Sequence, residues 1–195
     1  MWDERYGNEE YMYGTDPNDF LVECLTGRRI GRTFSAAEGE GRNAVWMATQ
    51  GAEVESVDSS IRGVEKTAKL AAVRGVEVAA RVGMLEDVDL VPGTYDTIVS
   101  IFAHMPSAQR LPLHRKFVDA LKPNGLFVLE AYTPDQLKFG TGGPKDADML
   151  LTSDKLRAEL TGVDFLVLRE VERDVIEGSL HTGRAAVVQC LAIRR

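Results

Sequence analysis

Apolar residues recur along the chain with two alternating periods, one typical of strands and one typical of helices. Residues 95–102 form an almost continuous apolar run, as expected of a strand that is covered on both faces. Residues 61–74 instead place their apolar side chains on one helical face, after the capping residue Ser60 and before the terminating Gly75. Strands are predicted over residues 32–37, 52–58, 76–82, 95–102 and 126–132, and two closing strands over 164–178 and 184–195.

Helices are predicted between most of these strands. The first begins with Asp16 as its cap and Pro17 at its first helical position, and it ends near Gly27. The others are predicted over residues 42–50, 61–74, 107–122 and 152–160. Strands that alternate with helices imply a doubly wound parallel sheet.

The two closing strands depart from this alternation. Only the segment from Ser179 to Gly183 joins them, which is far too short for a helical crossover, so they must form an antiparallel hairpin. The expected architecture is therefore an α/β fold with a doubly wound, mostly parallel sheet of seven strands, the last of them antiparallel. One domain is expected to span residues 1–195.

Composition and charge narrow the range of partners. With 195 residues, of which 44% are hydrophobic, the chain can build one sizeable core. A net charge of −7 argues against nucleic acid or an anionic membrane as a partner. Cys24 and Cys190 lie inside apolar runs, so neither a disulfide nor a metal site is expected. The amino-terminal residues are acidic and no long apolar run follows, which predicts a cytoplasmic protein.

Residues 38–44, EGEGRNA, contain the spacing G-x-G-x-x-A of a dinucleotide-binding loop. Such a loop usually wraps a pyrophosphate, whose charge is stabilised by backbone N–H groups and by a helix amino terminus. Glu38 and Glu40 stand on either side of the first glycine and would repel that anion. A nucleoside ligand with a positive charge and no phosphate fits this loop better.

Four segments resemble motifs of the class I S-adenosylmethionine-dependent methyltransferases. They are the glycine loop, Asp58 at the end of the second strand, YDTIVSIFAHMP at 95–106 and LKPNGLFVLEAYTP at 121–134. More narrowly, the segments WDERYG, YGTDPNDFL, TGGP and EGSLHTGRAAVVQ resemble a small bacterial group of tellurite-resistance-type methyltransferases. The resemblance implies S-adenosylmethionine as cofactor, S-adenosylhomocysteine as product, and a small-molecule acceptor that is a thiol, a chalcogen oxyanion or a hydroxyl.

The chain also departs from the pattern of that superfamily. Where D-L-G-C-G is typical, residues 35–39 read SAAEG, so the acid on the first strand and the first glycine are both missing. The acid often found after the third strand is also absent from residues 83–85.

The resemblance implies a set of cofactor contacts. Gly39 and Gly41 would let the cofactor approach bare backbone, Asp58 would accept hydrogen bonds from the ribose hydroxyls, and an apolar slot would hold adenine. The expected cofactor residues are Tyr13, Glu38, Gly39, Glu40, Gly41, Asn43, Asp58, Ser59, Met84, Leu85 and Ile101. Residues 1–28 would cover the cofactor, and residues 134–152 would form a lid over the acceptor. Tyr6 and Tyr11 could either join the cover or pack as a hydrophobic staple.

Two histidines are candidate general bases. His104 follows the fourth strand and His181 lies in the closing hairpin, so both are expected at the carboxyl ends of the parallel strands. Each has a structural alternative, a hydrogen bond to backbone, and a soft acceptor would need no base. His114 lies in the middle of a helix and is expected at the surface.

Two other functions fit parts of the same sequence. The glycine loop together with Asp58 also fits an NAD(P)-dependent oxidoreductase, against which the flanking glutamates argue. The degenerate loop also leaves open a non-catalytic protein that binds S-adenosylmethionine.

Overall fold

The computed structural model describes residues 2–178 and 181–195, without the side chain of His181. Within these residues the strands are β1 Arg32–Ala36, β2 Glu53–Asp58, β3 Ala79–Val82, β4 Tyr95–Ile101, β5 Leu121–Tyr132, β6 Val163–Glu177 and β7 His181–Arg194. They form one sheet in the order β3-β2-β1-β4-β5-β7-β6. The first five strands are parallel to one another, whereas β7 runs antiparallel to both β5 and β6. The predicted seven-stranded architecture is confirmed.

Helices cover both faces of this sheet. They are α1 Trp2–Arg5, α2 Asp19–Leu25, α3 Arg42–Thr49, α4 Ile61–Arg74, α5 Ser107–Ala120 and α6 Ser153–Glu159. On one face, α5 and α6 bury aromatic residues such as Phe34 and Phe117. On the other face, α2 and α3 bury a second cluster that includes Phe20 and Met47, and α4 packs beside α3. In the described ranges no helix is long and apolar enough to cross a membrane.

The start of α2 corrects the sequence prediction. The cap is Asn18, and neither Asp16 nor Pro17 belongs to the helix. The Asn18 side chain accepts a hydrogen bond from the Leu21 N–H, and its own backbone N–H donates to Asn43 Oδ1 at 2.9 Å. A contact with α3, which sequence patterning does not reveal, therefore fixes where α2 begins.

His114 is buried, so the prediction of a surface position was wrong. Its Nδ1 lies 2.8 Å from Glu159 Oε2, and the Arg110 guanidinium donates to both oxygens of the same carboxylate. Arg110 Nη1 also donates to the backbone carbonyls of Met105 and Asp148. The cluster ties α5 to α6, because a carboxylate distant in the sequence gives the imidazole a partner inside the protein.

This cluster predicts an acid-sensitive contribution to stability. Burial raises the pKa of the Glu159 carboxyl, but hydrogen bonds and positive charge from His114 and Arg110 outweigh burial and lower that pKa to about 2. A lowered pKa stabilises the fold above the ordinary value of 4.5. This contribution, about 3 kcal/mol, is lost as the pH falls from that value toward the folded pKa.

Urea unfolding should therefore show a smaller loss of stability on acidification for Glu159→Gln than for the wild type. Glu65→Gln, at an exposed ion pair with Arg62, should keep the wild-type pH slope. Equal slopes for Glu159→Gln and the wild type would contradict the interpretation.

Two glycines let α4 approach the loop between β1 and α3. Gly41 has φ +95°, and a Cβ there would lie 2.7 Å from Thr67 Cα. A Cβ on Gly63 would lie 2.7 Å from the Gly39 carbonyl oxygen. The close packing of α4 on this loop therefore depends on bare backbone from both sides.

Gly41→Ala should lower the free energy of unfolding by about 2 to 4 kcal/mol, because left-handed strain and overpacking add. Gly51 is the matched control, since it also has a positive φ, +84°, but a Cβ there would meet no atom of another described residue within 4 Å. Gly51→Ala should cost only the strain, about 1 to 2 kcal/mol. Urea unfolding measures both variants. Equal losses in the free energy of unfolding would show that the contact with Thr67 adds nothing to the backbone strain.

Candidate functional site

The carboxyl ends of β1, β2 and β4 meet at one rim of the sheet, where open α/β sheets bind ligands. Residues 37–41, the glycine loop, connect β1 to α3 at this rim. Ala37 stands where the typical first glycine is missing and has φ +48°, a left-handed conformation that favours glycine. Phe102, directly after β4, has φ +53°. Two of the three described non-glycine residues with a positive φ therefore lie at the rim where a ligand would bind.

Glu38 caps the amino terminus of α3 from within the chain. Its Oε1 accepts hydrogen bonds from the N–H groups of Asn43 and Ala44, both at 2.9 Å, and its Oε2 accepts one from Ser35 Oγ. Burial raises the pKa of the Glu38 carboxyl, while these hydrogen bonds act in the opposite direction. Ser35 stands at the position of the acid that is missing from the first strand, and it donates to Glu38. The positive end of α3 thus has an acceptor before any ligand arrives.

Glu40 is paired within the protein as well. Its Oε1 lies 2.7 Å from Lys66 Nζ, and its Oε2 accepts a hydrogen bond from the Tyr13 N–H at 3.3 Å. Lys66 Nζ also donates to the Glu10 carbonyl oxygen at 2.7 Å. Glu40 therefore holds the amino-terminal segment onto the glycine loop, and Lys66 offsets its charge.

Asp58 ends β2 beside the glycine loop, as predicted. Its Oδ2 accepts a hydrogen bond from the Gly39 N–H, and its Oδ1 accepts one from the Ser60 N–H, both at 2.8 Å. Burial raises the pKa of its carboxyl. Each carboxylate oxygen can accept a second hydrogen bond, so Asp58 can fix the loop and also receive a ligand hydroxyl.

Residues 2–14, the amino-terminal segment, lie over this loop. The Tyr6 ring stacks on Trp2 at 5.7 Å and meets Tyr13 edge-on at 6.3 Å. A Cβ on Gly39 would lie 2.8 Å from the Tyr6 hydroxyl. Asp3 fastens the segment to α4, because its carboxylate accepts from Ser60 Oγ at 2.5 Å. Tyr6 is thus both buried and in contact with the glycine loop. In contrast, the Tyr11 hydroxyl donates to the Lys66 carbonyl on α4.

The remaining expected cofactor residues differ in their accessibility. Ser59 is exposed, and Met84 is half exposed at the start of a short 3₁₀ turn. Leu85 and Ile101 are buried in the two core clusters, Leu85 on the α5 side and Ile101 on the α2 side. For all four residues of this paragraph, contact with a cofactor stays a prediction.

An aromatic cluster lies on the other side of the rim. The His104 ring stacks on Tyr132 with centroids 5.3 Å apart, and Phe102 lies 4.8 Å from Tyr132. Sequence reasoning identified His104 but missed the two partners. Tyr132 is the last residue of β5, and that position at the rim was the available signal. The His181 side chain lies outside the described residues; its backbone begins β7.

The segment 134–152, predicted as a lid, contacts this cluster and the hairpin. A Cβ on Gly143 would lie 2.7 Å from Tyr132 Cδ2. Gln136 Nε2 donates to Thr141 Oγ1, and Gln136 Oε1 accepts from the Ala186 N–H on β7. The segment therefore lies directly on Tyr132 and is fastened to β7. Across the described ranges, no three His, Cys, Asp or Glu side chains are arranged to hold a metal ion.

Comparisons with known proteins give one family match and several solved structures of similar fold. Residues 35–125 match a family described as a methyltransferase domain. No curated protein matches the chain. The N-methyltransferase NodS from Bradyrhizobium japonicum, solved with S-adenosylhomocysteine, is 11% identical over 99% of this chain and 96% of its own, with a TM-score of 0.74. TehB from Haemophilus influenzae is 13% identical over 100% of this chain and 66% of its own, with a TM-score of 0.75. A structure concerned with converting a disulfide bond into a thioacetal during echinomycin biosynthesis is 17% identical over 99% of this chain and 90% of its own, with a TM-score of 0.78.

At these identities the structural likeness establishes the fold alone. The chain has the Rossmann-like fold of its methyltransferase neighbours, and the match of residues 35–125 to a methyltransferase domain indicates an enzyme with S-adenosylmethionine as cofactor.

Proposed function

We propose that this chain transfers a methyl group from S-adenosylmethionine to a small-molecule acceptor. One observation carries the choice of ligand: the Glu38 carboxylate already accepts the N–H groups at the amino terminus of α3. A pyrophosphate would need those same donors, whereas a cofactor without phosphate would not.

The residues at the rim fit the cofactor. Bare backbone at Gly39 and Gly41 permits close approach, and the Asp58 carboxylate suits two vicinal hydroxyls. The cofactor would be held by Asp58, Gly39 and Tyr13 of the amino-terminal segment. Ser59 and Met84 are accessible at the edge of this site. When bound, the cofactor supplies a methyl carbon activated by its sulfonium.

The described residues on the acceptor side provide walls and a cover. His104, Tyr132 and Phe102 form an aromatic wall, and the segment with Gly143 lies over Tyr132. Such a site can align an acceptor and exclude water, which supplies much of the rate in a displacement reaction. A thiol or chalcogen oxyanion would need no base there. A hydroxyl acceptor would need one, and His104 and His181 are the candidates.

The alternative functions have less support. An NAD(P)-dependent oxidoreductase requires a phosphate site that Glu38 fills, and a purely binding role gives no purpose to the aromatic wall and its cover. The tellurite-resistance-type assignment rests on the short segments that resemble that group, and TehB is a structural relative at low identity.

Isothermal titration calorimetry tests the proposal. The chain should bind S-adenosylhomocysteine and S-adenosylmethionine and should not bind NAD or NADP. The physical reason is the carboxylate at the amino terminus of α3, which repels phosphate. Binding of NAD(P) without binding of either sulfur cofactor would refute the proposal.

Two variants identify the binding site in the same titrations. Asp58→Ala should weaken S-adenosylhomocysteine binding by about 1 to 3 kcal/mol, because hydrogen bonds to a charged group are removed. Asp96→Ala, which removes a carboxylate at the opposite end of the sheet, should leave the affinity unchanged. Equal losses of affinity in the two variants would show that Asp58 does not contact the cofactor.

A further inference from the structure

A buried ion pair joins the glycine loop to the closing hairpin. Arg42 directly follows Gly41 and opens α3, and its Nη2 lies 2.6 Å from Oε2 of Glu177, the last residue of β6. The two side chains are only 8% and 5% exposed. In the hairpin register Glu177 pairs with His181. One salt bridge therefore connects the end of the glycine loop with the closing hairpin, in which His181 is a candidate base.

The second oxygen of Glu177 extends the connection. Its Oε1 accepts from Asn18 Nδ2 at 2.8 Å and from Arg173 Nη2 at 3.1 Å. Asn18 in turn donates its backbone N–H to Asn43 on α3. Glu177 is thus connected to the glycine-loop helix twice, once through Arg42 and once through Asn18.

Arg173 carries the connection to the acceptor side. Its Nε donates to Glu130 Oε1 at 2.8 Å, and the Glu130 carbonyl accepts from the Phe102 N–H. Glu130 lies on β5, two residues before Tyr132. Arg42 and Arg173 face the two buried glutamates, and Arg173 Nη1 also lies 3.3 Å from Oδ2 of the exposed Asp19. The cluster connects the glycine loop with the aromatic wall as well as with the hairpin.

Burial makes these contacts hard to break separately. Moving the glycine loop away from the hairpin would leave Arg42 or part of Glu177 without its charge partner in a poorly solvated environment, which is unfavourable. The glycine loop and the hairpin should therefore change position together.

We propose that Arg42 and Glu177 are positioning residues that transmit cofactor binding at the glycine loop to the hairpin and fix its geometry for the acceptor. The inference rests on the proposed cofactor site, and it assigns the pair a role in coupling, not in contacting the methyl group.

Hydrogen exchange with mass spectrometry tests this coupling, with S-adenosylhomocysteine as the probe. In the wild type, saturating probe should slow amide exchange in the glycine-loop peptides and also in hairpin peptides, the latter by about tenfold, a typical coupling factor. In Arg42→Gln the glycine-loop peptides should still be protected, whereas the hairpin peptides should change by less than about twofold, below the usual range of such coupling. The readout needs no acceptor and no turnover.

Conservative variants separate coupling from simple loss of structure. Arg42 meets Glu177 through a single nitrogen, so Arg42→Lys keeps a cation within reach and should retain most of the hairpin response. Glu177→Asp keeps the charge but shortens the side chain, and it should lose the response even if Arg42→Gln does not fold. Arg195→Gln removes an exposed pair with Asp164 at the far end of β6 and should behave as wild type.

The outcomes are distinguishable. If the wild-type chain does not bind the probe, the proposed function fails. If it binds and protects the glycine loop, but the hairpin response is absent, or is the same in the wild type, Arg42→Gln and Glu177→Asp, the coupling is refuted while the cofactor site stands.

Discussion

The site depends on which group supplies the negative charge at the amino terminus of α3. A helix start leaves backbone N–H groups that need acceptors, and in a glycine loop a ligand phosphate often provides them. Here Glu38 provides them from three residues upstream of Gly41, with Ser35 supporting its second oxygen. The Asn43 and Ala44 N–H groups therefore have a negatively charged acceptor within the chain. This arrangement is the reason we propose a cofactor without phosphate at this rim.

The same solution recurs around the rim. Two more carboxylates beside the glycine loop have partners within the chain: Glu40 pairs with Lys66, and Asp58 accepts the Gly39 N–H. These contacts draw in distant segments, because Glu40 also holds the amino-terminal segment, and Glu177 fastens the hairpin to Arg42. The rim is therefore assembled by charge pairing between elements, whereas the apolar clusters below it hold the sheet and its helices.

Periodicity predicted what depends on burial alone. The seven strands, the closing hairpin and the position of Asp58 follow from apolar runs and from the length of a connection. Features that depend on a distant partner were missed or misplaced. Asn43 selects Asn18 as the cap of α2, and Glu159 draws His114 inside. Tyr132 gains its role only because β5 ends beside the loop that carries His104. The sequence suggests that the Glu38 charge faces the ligand, because no sequence pattern reveals that its side chain turns back toward α3.

A crystal structure of the chain with S-adenosylhomocysteine is the most direct test of this arrangement. We expect Glu38 to stay within hydrogen-bonding distance of the Asn43 and Ala44 N–H groups, while the ribose hydroxyls donate to Asp58. A ligand or anion bound to those two N–H groups, with Glu38 displaced, would contradict it.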